Sequence, residues 1–165
     1  MIRERSMSTL RPILLVEDSA ADIELTMAAL QDSHVANRVI VLRDGSEALD
    51  YLNQHYLGSD EEFPAVMLLD IKMPRVSGID VLRAMKNSEH LCNVPVVMLT
   101  SSREGPDLTD CYNLGANGYV VKPVEFSEFF EAVKALGKYW AVVNEPPTYG
   151  KSQPKPCTVE AGHAE

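Results

Sequence analysis

The sequence predicts an α/β domain, a parallel β-sheet covered by helices on both faces. Two observations carry this expectation. Five short, continuous apolar runs occur along the chain, as strands buried on both faces require. Between them lie segments whose apolar residues recur at helical spacing, so the order is strand, helix, strand, helix throughout. At 165 residues, 45% hydrophobic and 24% charged, the chain has the size and composition of one globular domain.

The elements follow in order. Ile13-Leu-Leu-Val16 is the first run and ends in Glu17-Asp18. Ser19-Ala-Ala-Asp22 reads as a capping box, and Ile23, Met27 and Leu30 form the helical stripe behind it. Val39-Ile-Val-Leu42 is the second run; Asp44-Gly45 closes it, and Ala48, Leu49 and Leu52 mark the second helix. Residues 58–63 are acidic and turn-rich and read as a surface loop. Ala65-Val-Met-Leu-Leu69 is the third run and ends in Asp70; Met73-Pro74 and Gly78 mark a loop before the stripe Val81, Leu82, Met85. Val94-Pro-Val-Val-Met-Leu99 ends in Thr100, and Leu108, Cys111 and Tyr112 suggest a fourth helix. Gly118-Tyr-Val-Val121 ends in Lys122-Pro123, and Phe126, Phe129, Phe130, Val133 and Leu136 form the last stripe. After Trp140 the composition turns to Pro and polar residues, which do not build a core.

The formal net charge of −9 argues against a nucleic-acid backbone or an anionic membrane surface as the main partner. No apolar run is long enough to span a bilayer, and residues 1–6 lack the apolar core of a secretory signal. Cys92, Cys111 and Cys157 are odd in number and form no Cys-x-x-Cys pair, so free thiols in a reducing cytoplasm are expected.

The residues that close the apolar runs carry the chemistry: Glu17, Asp18, Asp70, Thr100 and Lys122. In an open parallel sheet, ligands bind outside the carboxyl ends of the strands. One topology therefore brings together three carboxylates, a hydroxyl and an ammonium. Clustered carboxylates repel one another unless a cation neutralises them, and a small set of hard oxygen ligands suits Mg²⁺. A carboxylate beside such a metal can attack phosphorus and form an aspartyl phosphate. An ammonium and a hydroxyl can stabilise the charge on the transferring group.

With these pieces in place the chain resembles the receiver domain of bacterial response regulators. The matching segments are Leu14-Leu-Val-Glu-Asp18, Leu69-Asp-Ile-Lys-Met-Pro74 with Gly78, Leu99-Thr-Ser-Ser102, and Gly115-Ala-Asn-Gly-Tyr-Val-Val-Lys-Pro123. The resemblance implies a doubly wound, flavodoxin-like sheet of order 2-1-3-4-5 over residues 11–140. Residues 1–10 would then be an N-terminal extension, and 141–165 a Pro-rich tail or dimerisation arm. It implies Asp70 as phosphoacceptor, Asp18 as a direct Mg²⁺ ligand, Glu17 acting through water, and the main-chain carbonyl of Lys72 as the remaining ligand. Thr100 matches the switch hydroxyl, Lys122 the phosphate-binding ammonium, and Tyr119 the aromatic that follows Thr100; a half-buried aromatic on an edge strand is the plainer reading of Tyr119. A cis bond is implied between Lys122 and Pro123. Lys72 departs from the commoner pattern by placing a cation two residues past Asp70, as either a solvent-facing lysine or one with a kinetic role.

The stretch Val124-Glu-Phe-Ser-Glu-Phe-Phe-Glu-Ala-Val133 with Tyr139-Trp140 resembles stand-alone regulators that partner phytochrome-type histidine kinases. That resemblance implies a cytoplasmic homodimer that receives its phosphoryl group from a sensor histidine kinase or phosphotransfer protein. Its output would be a switch in partner binding rather than turnover of a substrate. The alternative is a pseudo-receiver, a protein-binding module that is never phosphorylated, against which the complete set Asp18, Asp70, Thr100 and Lys122 argues.

Overall fold

The structure, a computed structural model, describes residues 10–57, 63–101 and 103–145. The expected loop at 58–62 and the Pro-rich tail from 146 onward lie outside these residues. The five apolar runs form strands β1 (Ile13–Val16), β2 (Val39–Leu42), β3 (Val66–Leu69), β4 (Val96–Thr100) and β5 (Gly118–Val121). All pairings are parallel, in the order β2-β1-β3-β4-β5. Between and after them lie α1 (Ala20–Asp32), α2 (Gly45–Tyr56), α3 (Gly78–Lys86), α4 (Gly105–Asn113) and α5 (Phe126–Lys138). A single π turn, Tyr139–Val143, extends α5. Among the described residues no helix is long and apolar enough to cross a membrane.

Alternation along each strand splits the core into two layers. Leu14 and Val16 of β1, Met67 and Leu69 of β3, and Val96 and Met98 of β4 face α2, α3 and α4. Ile13, Leu15, Val66, Leu68, Val97 and Leu99 face α1 and α5, where they meet Ile23, Leu30, Phe129 and Val133. This is why the central strands read as unbroken apolar runs: each is buried on both sides. On the second face α1 and α5 pack closely, because a Cβ at Gly137 would lie 2.7 Å from Leu30 Cδ2. Lys134 Nζ adds an ion pair with Asp32 at 2.7 Å.

Three expectations change on contact with the structure. Ser19 caps α1 by accepting from the Asp22 N–H at 3.4 Å, but the Ser19 N–H donates to Glu17 Oε1 at 3.1 Å. The acid of the expected box is thus diverted elsewhere, and the reciprocal box belongs instead to Ser77 and Asp80 at the start of α3. In α4 only Cys111 is buried, while Leu108 and Tyr112 are exposed; their spacing marks the helix but not its packed face. Cys92 is disulfide-bonded, whereas Cys111 is a buried free thiol. Separation along the chain sets no limit on separation in space, so the expectation of three free thiols fails for Cys92.

The loop after β3 is fixed by backbone contacts. The Met73 and Gly78 N–H groups both donate to the Ile71 carbonyl, at 3.1 and 2.9 Å. A Cβ at Gly78 would stand 2.0 Å from the Asp70 carbonyl oxygen and 2.9 Å from Ile71 Cα. Only glycine lets the start of α3 approach the residue that closes β3. Gly78→Ala is expected to destabilise the fold by about 1–3 kcal/mol, as overpacking against backbone does. Urea denaturation reads this directly, with the midpoint falling while the slope is unchanged.

Candidate functional site

The polar residues that close the apolar runs sit on the last rungs of the sheet. The Glu17 N–H donates to the Leu42 carbonyl at 3.0 Å, that of Asp70 to Val16 at 3.1 Å, and that of Lys122 to Thr100 at 2.7 Å. The ladder thus carries each functional side chain to the same edge. Glu17 follows Leu15 onto the α1 and α5 face by strand alternation and is buried. Asp18 is exposed, Asp70 is buried, and Thr100 is fully buried at the end of β4.

Carboxylate oxygens of Glu17, Asp18 and Asp70, one from each, all lie within 4.8 Å of one another. Lys122 reaches into this cluster from β5. Its Nζ donates to Glu17 Oε2 at 2.6 Å and to Asp22 Oδ2 at 2.8 Å, and stands 3.7 Å from Asp70 Oδ2. Asp70 Oδ1 is buried and has no hydrogen-bond partner among the described residues. An unpaired buried carboxylate oxygen is costly. Beside two further carboxylates, its natural complement is a hard cation, so these residues fit a divalent ion such as Mg²⁺.

Burial pushes the Glu17 carboxyl up to about 7, against the Lys122 hydrogen bond, with the Asp70 charge adding to the rise. Asp70 is also raised, by burial first; the Lys122 charge, the Thr100 hydroxyl and the Ile71 N–H oppose it. Burial works against the Lys122 ammonium, but its bonds to Asp22 and Glu17 and the nearby carboxylate charges outweigh that and raise it. The site therefore holds more negative charge than one ammonium can balance.

The residues named from sequence come together, with two qualifications. Among the described residues no peptide bond is cis, so the Lys122–Pro123 bond is trans. That corrects the implied cis bond: trans is the intrinsically favoured form of an X–Pro bond, and from it Lys122 still reaches the cluster. The Lys72 side chain is exposed and makes no ion pair among the described residues, while Glu17 is taken by Lys122 and Ser19. Tyr119 is half-buried on β5, opposite Met98, against the α2, α3 and α4 layer.

Asp22 is the site residue that sequence reasoning missed. Its Ser-x-x-Asp spacing reads as a capping motif, although its place in the first turn of α1, four residues after Asp18, puts it at the same edge of the sheet. A helix following that strand must start where the ligand-binding edge lies.

Glu17 generates a pH dependence whose sign follows from linkage. Its carboxyl titrates near 4.5 when unfolded and at about 7 when folded, so between these values the folded state binds more protons. Its contribution to stability is then full below about 4.5 and is lost as the pH rises through about 7. In metal-free protein, denaturation from pH 4.5 to 7 should show this loss, and Glu17→Gln should remove it. Equal slopes in the two proteins would contradict the assignment.

Comparison with known proteins agrees with this geometry. Residues 13–134 match the response regulator receiver domain. The chain is 40% identical over 135 residues to a probable methanogenesis regulatory protein, FilR2, of Methanothrix harundinacea, covering 82% of this chain and 86% of that one. It resembles the solved bacteriophytochrome response regulator AtBRR at 56% identity and a TM-score of 0.64, covering 82% of this chain and 99% of the other. The phosphorylated cyanobacterial phytochrome response regulator RcpA matches at 35% identity and a TM-score of 0.77, covering 84% and 99%. The Mn²⁺-bound response regulator Rcp1 matches at 33% and 0.76, with the same coverage. With the parallel sheet, the carboxylate cluster and the reaching lysine at its carboxyl edge, the chain belongs to the response regulator receiver family.

Proposed function

We propose that this chain is a stand-alone response regulator of a two-component system that accepts a phosphoryl group on Asp70. The observation that carries this reading is the pairing of a buried, unpartnered Asp70 Oδ1 with an ammonium 3.7 Å from the other oxygen. That arrangement supports Asp70 as the nucleophile and Lys122 as the group that stabilises transferred charge. In the proposed step an Asp70 oxygen forms a bond to phosphorus as the phosphorus–nitrogen bond of a phosphohistidine breaks. The departing imidazole nitrogen keeps the electron pair. Lys122 donates to a phosphoryl oxygen, and Thr100 turns its hydroxyl to another. Tyr119 follows Thr100 inward, which changes the surface around α4 and β5 and so the choice of partner.

Asp18, Asp70 and the Lys72 main-chain carbonyl would hold Mg²⁺ directly, with Glu17 acting through water. When bound, the ion neutralises charge on the phosphoryl oxygens. The chain is not a turnover enzyme in this reading, since the group it accepts stays on its own side chain until hydrolysis or onward transfer. The donor is a sensor histidine kinase or phosphotransfer protein. A phytochrome-type kinase is supported by the likeness to RcpA and AtBRR. Such kinases draw on cytoplasmic ATP, so a cytoplasmic location belongs to the same proposal.

Homodimerisation through the end of α5 and the tail completes the proposal. Trp140 packs on its own domain, but Tyr139, Val142 and Val143 are exposed. Such an apolar end to one helix is suited to a two-fold contact with a second copy.

Two outcomes test this function. Asp70→Asn removes the anionic attacking oxygen at constant size and should abolish labelling by a phosphorylated histidine kinase, as should excess EDTA with the unaltered chain. Labelling of the variant at the normal level would refute Asp70 as the acceptor, and no labelling of the unaltered chain would favour the pseudo-receiver reading. Analytical ultracentrifugation at micromolar concentration should show a dimer that weakens on deletion of residues 141–165; a full-length monomer would refute the assembly.

A further inference from the structure

Among the described residues, Asp22 is the acidic partner of Lys122 that neither the candidate metal trio nor the phosphoacceptor accounts for. A Ser-x-x-Asp start to a helix ordinarily returns its acid to the capping N–H. Here Glu17 takes that N–H, and the Asp22 carboxylate reaches instead across to β5, one hundred residues away in sequence, to hold Lys122 at 2.8 Å. An ammonium has three donors. Two of them are engaged, by Glu17 at 2.6 Å and Asp22 at 2.8 Å, while Asp70 Oδ2 at 3.7 Å lies beyond hydrogen-bond reach. The side chain of Asp22 is 38% exposed against 10% for Lys122. Asp22 therefore pulls the ammonium outward, from the solvent side, and its bond can be exchanged at small cost.

We propose that Asp22 is a positioning residue that parks Lys122 in the resting state and competes for it with the phosphoryl group on Asp70. The proposal rests on the reading of Asp70 as phosphoacceptor. In the resting site the two carboxylates hold Lys122 just short of Asp70. When phosphoryl oxygens appear beside Asp70, one ammonium N–H leaves Asp22 for them. Asp22 thus sets how readily the activated arrangement forms, without touching the transferred group. Its removal costs no helix cap, since its carboxylate makes none.

The test uses the full chain with Mg²⁺ and beryllofluoride as the phosphoryl stand-in, followed by heteronuclear NMR. Asp22→Ala should bind beryllofluoride roughly two- to five-fold more tightly, the range expected for losing a partly exposed competing ion pair. In a Lys122→Met background the same substitution should give no such gain. An unchanged or weaker affinity would overturn the proposal. So would an equal gain without Lys122, which would mean a through-space charge effect only. A crystal structure of metal-free Asp22→Ala gives an independent reading: Lys122 Nζ should move from 3.7 Å to within about 3 Å of Asp70, and an ammonium that stays put overturns the parking role. If the unaltered chain bound no beryllofluoride, the phosphoacceptor reading would fail, and the crystal distance alone would decide the role of Asp22.

Discussion

The arrangement at the carboxyl edge of the sheet depends on one charge balance: a single ammonium, Lys122, among the carboxylates of Glu17, Asp22 and Asp70, with Asp18 alongside. Each of these groups is brought there by a different element, β1, α1, β3 and β5. The attraction that ties them together opposes the mutual repulsion of the carboxylates, and it does so incompletely. Breaking a buried pair by removing one partner is strongly destabilising because the remaining charge is left unpaired. Lys122 is in that position with respect to Glu17 and Asp70. The same shortfall of positive charge makes the site receptive to a cation, and then to a group that carries negative charge of its own.

The rest of the fold holds these groups at fixed spacing. The parallel ladder extends one residue past each strand to orient Glu17, Asp70 and Lys122. Gly78 lets α3 begin against the Asp70 backbone, and the Ser77–Asp80 box fixes that start. The two apolar layers hold the strands in register from both faces. In the proposed switch the moving groups are those whose bonds are exchangeable: the partly exposed Asp22, the Thr100 hydroxyl and the half-buried Tyr119.

Much of this was legible in the sequence because it depends on local chemistry or on period. Strands of a sheet covered by helices on both faces read as apolar runs, even at its edges, and β1, β2 and β5 fall where the runs predicted. The polar residues ending those runs meet because a parallel sheet has one carboxyl edge. What was not legible depends on distant partners. Whether Asp22 caps its own helix or reaches Lys122 is decided by β5, and a local motif cannot report that. Leu108 and Tyr112 keep helical spacing yet face outward, because the sheet beneath α4 is nearly used up at its β5 edge. The disulfide at Cys92 is likewise set by tertiary context rather than by residue type.

The central claim is that Asp70 is the nucleophile and carries the phosphoryl group. Incubation with acetyl phosphate and Mg²⁺, borohydride trapping of the acyl phosphate and peptide mass spectrometry test it most directly. The account predicts one reduced residue, at Asp70, that disappears when Mg²⁺ is chelated. Trapping at another carboxylate, or none with the folded protein and metal both present, would contradict it.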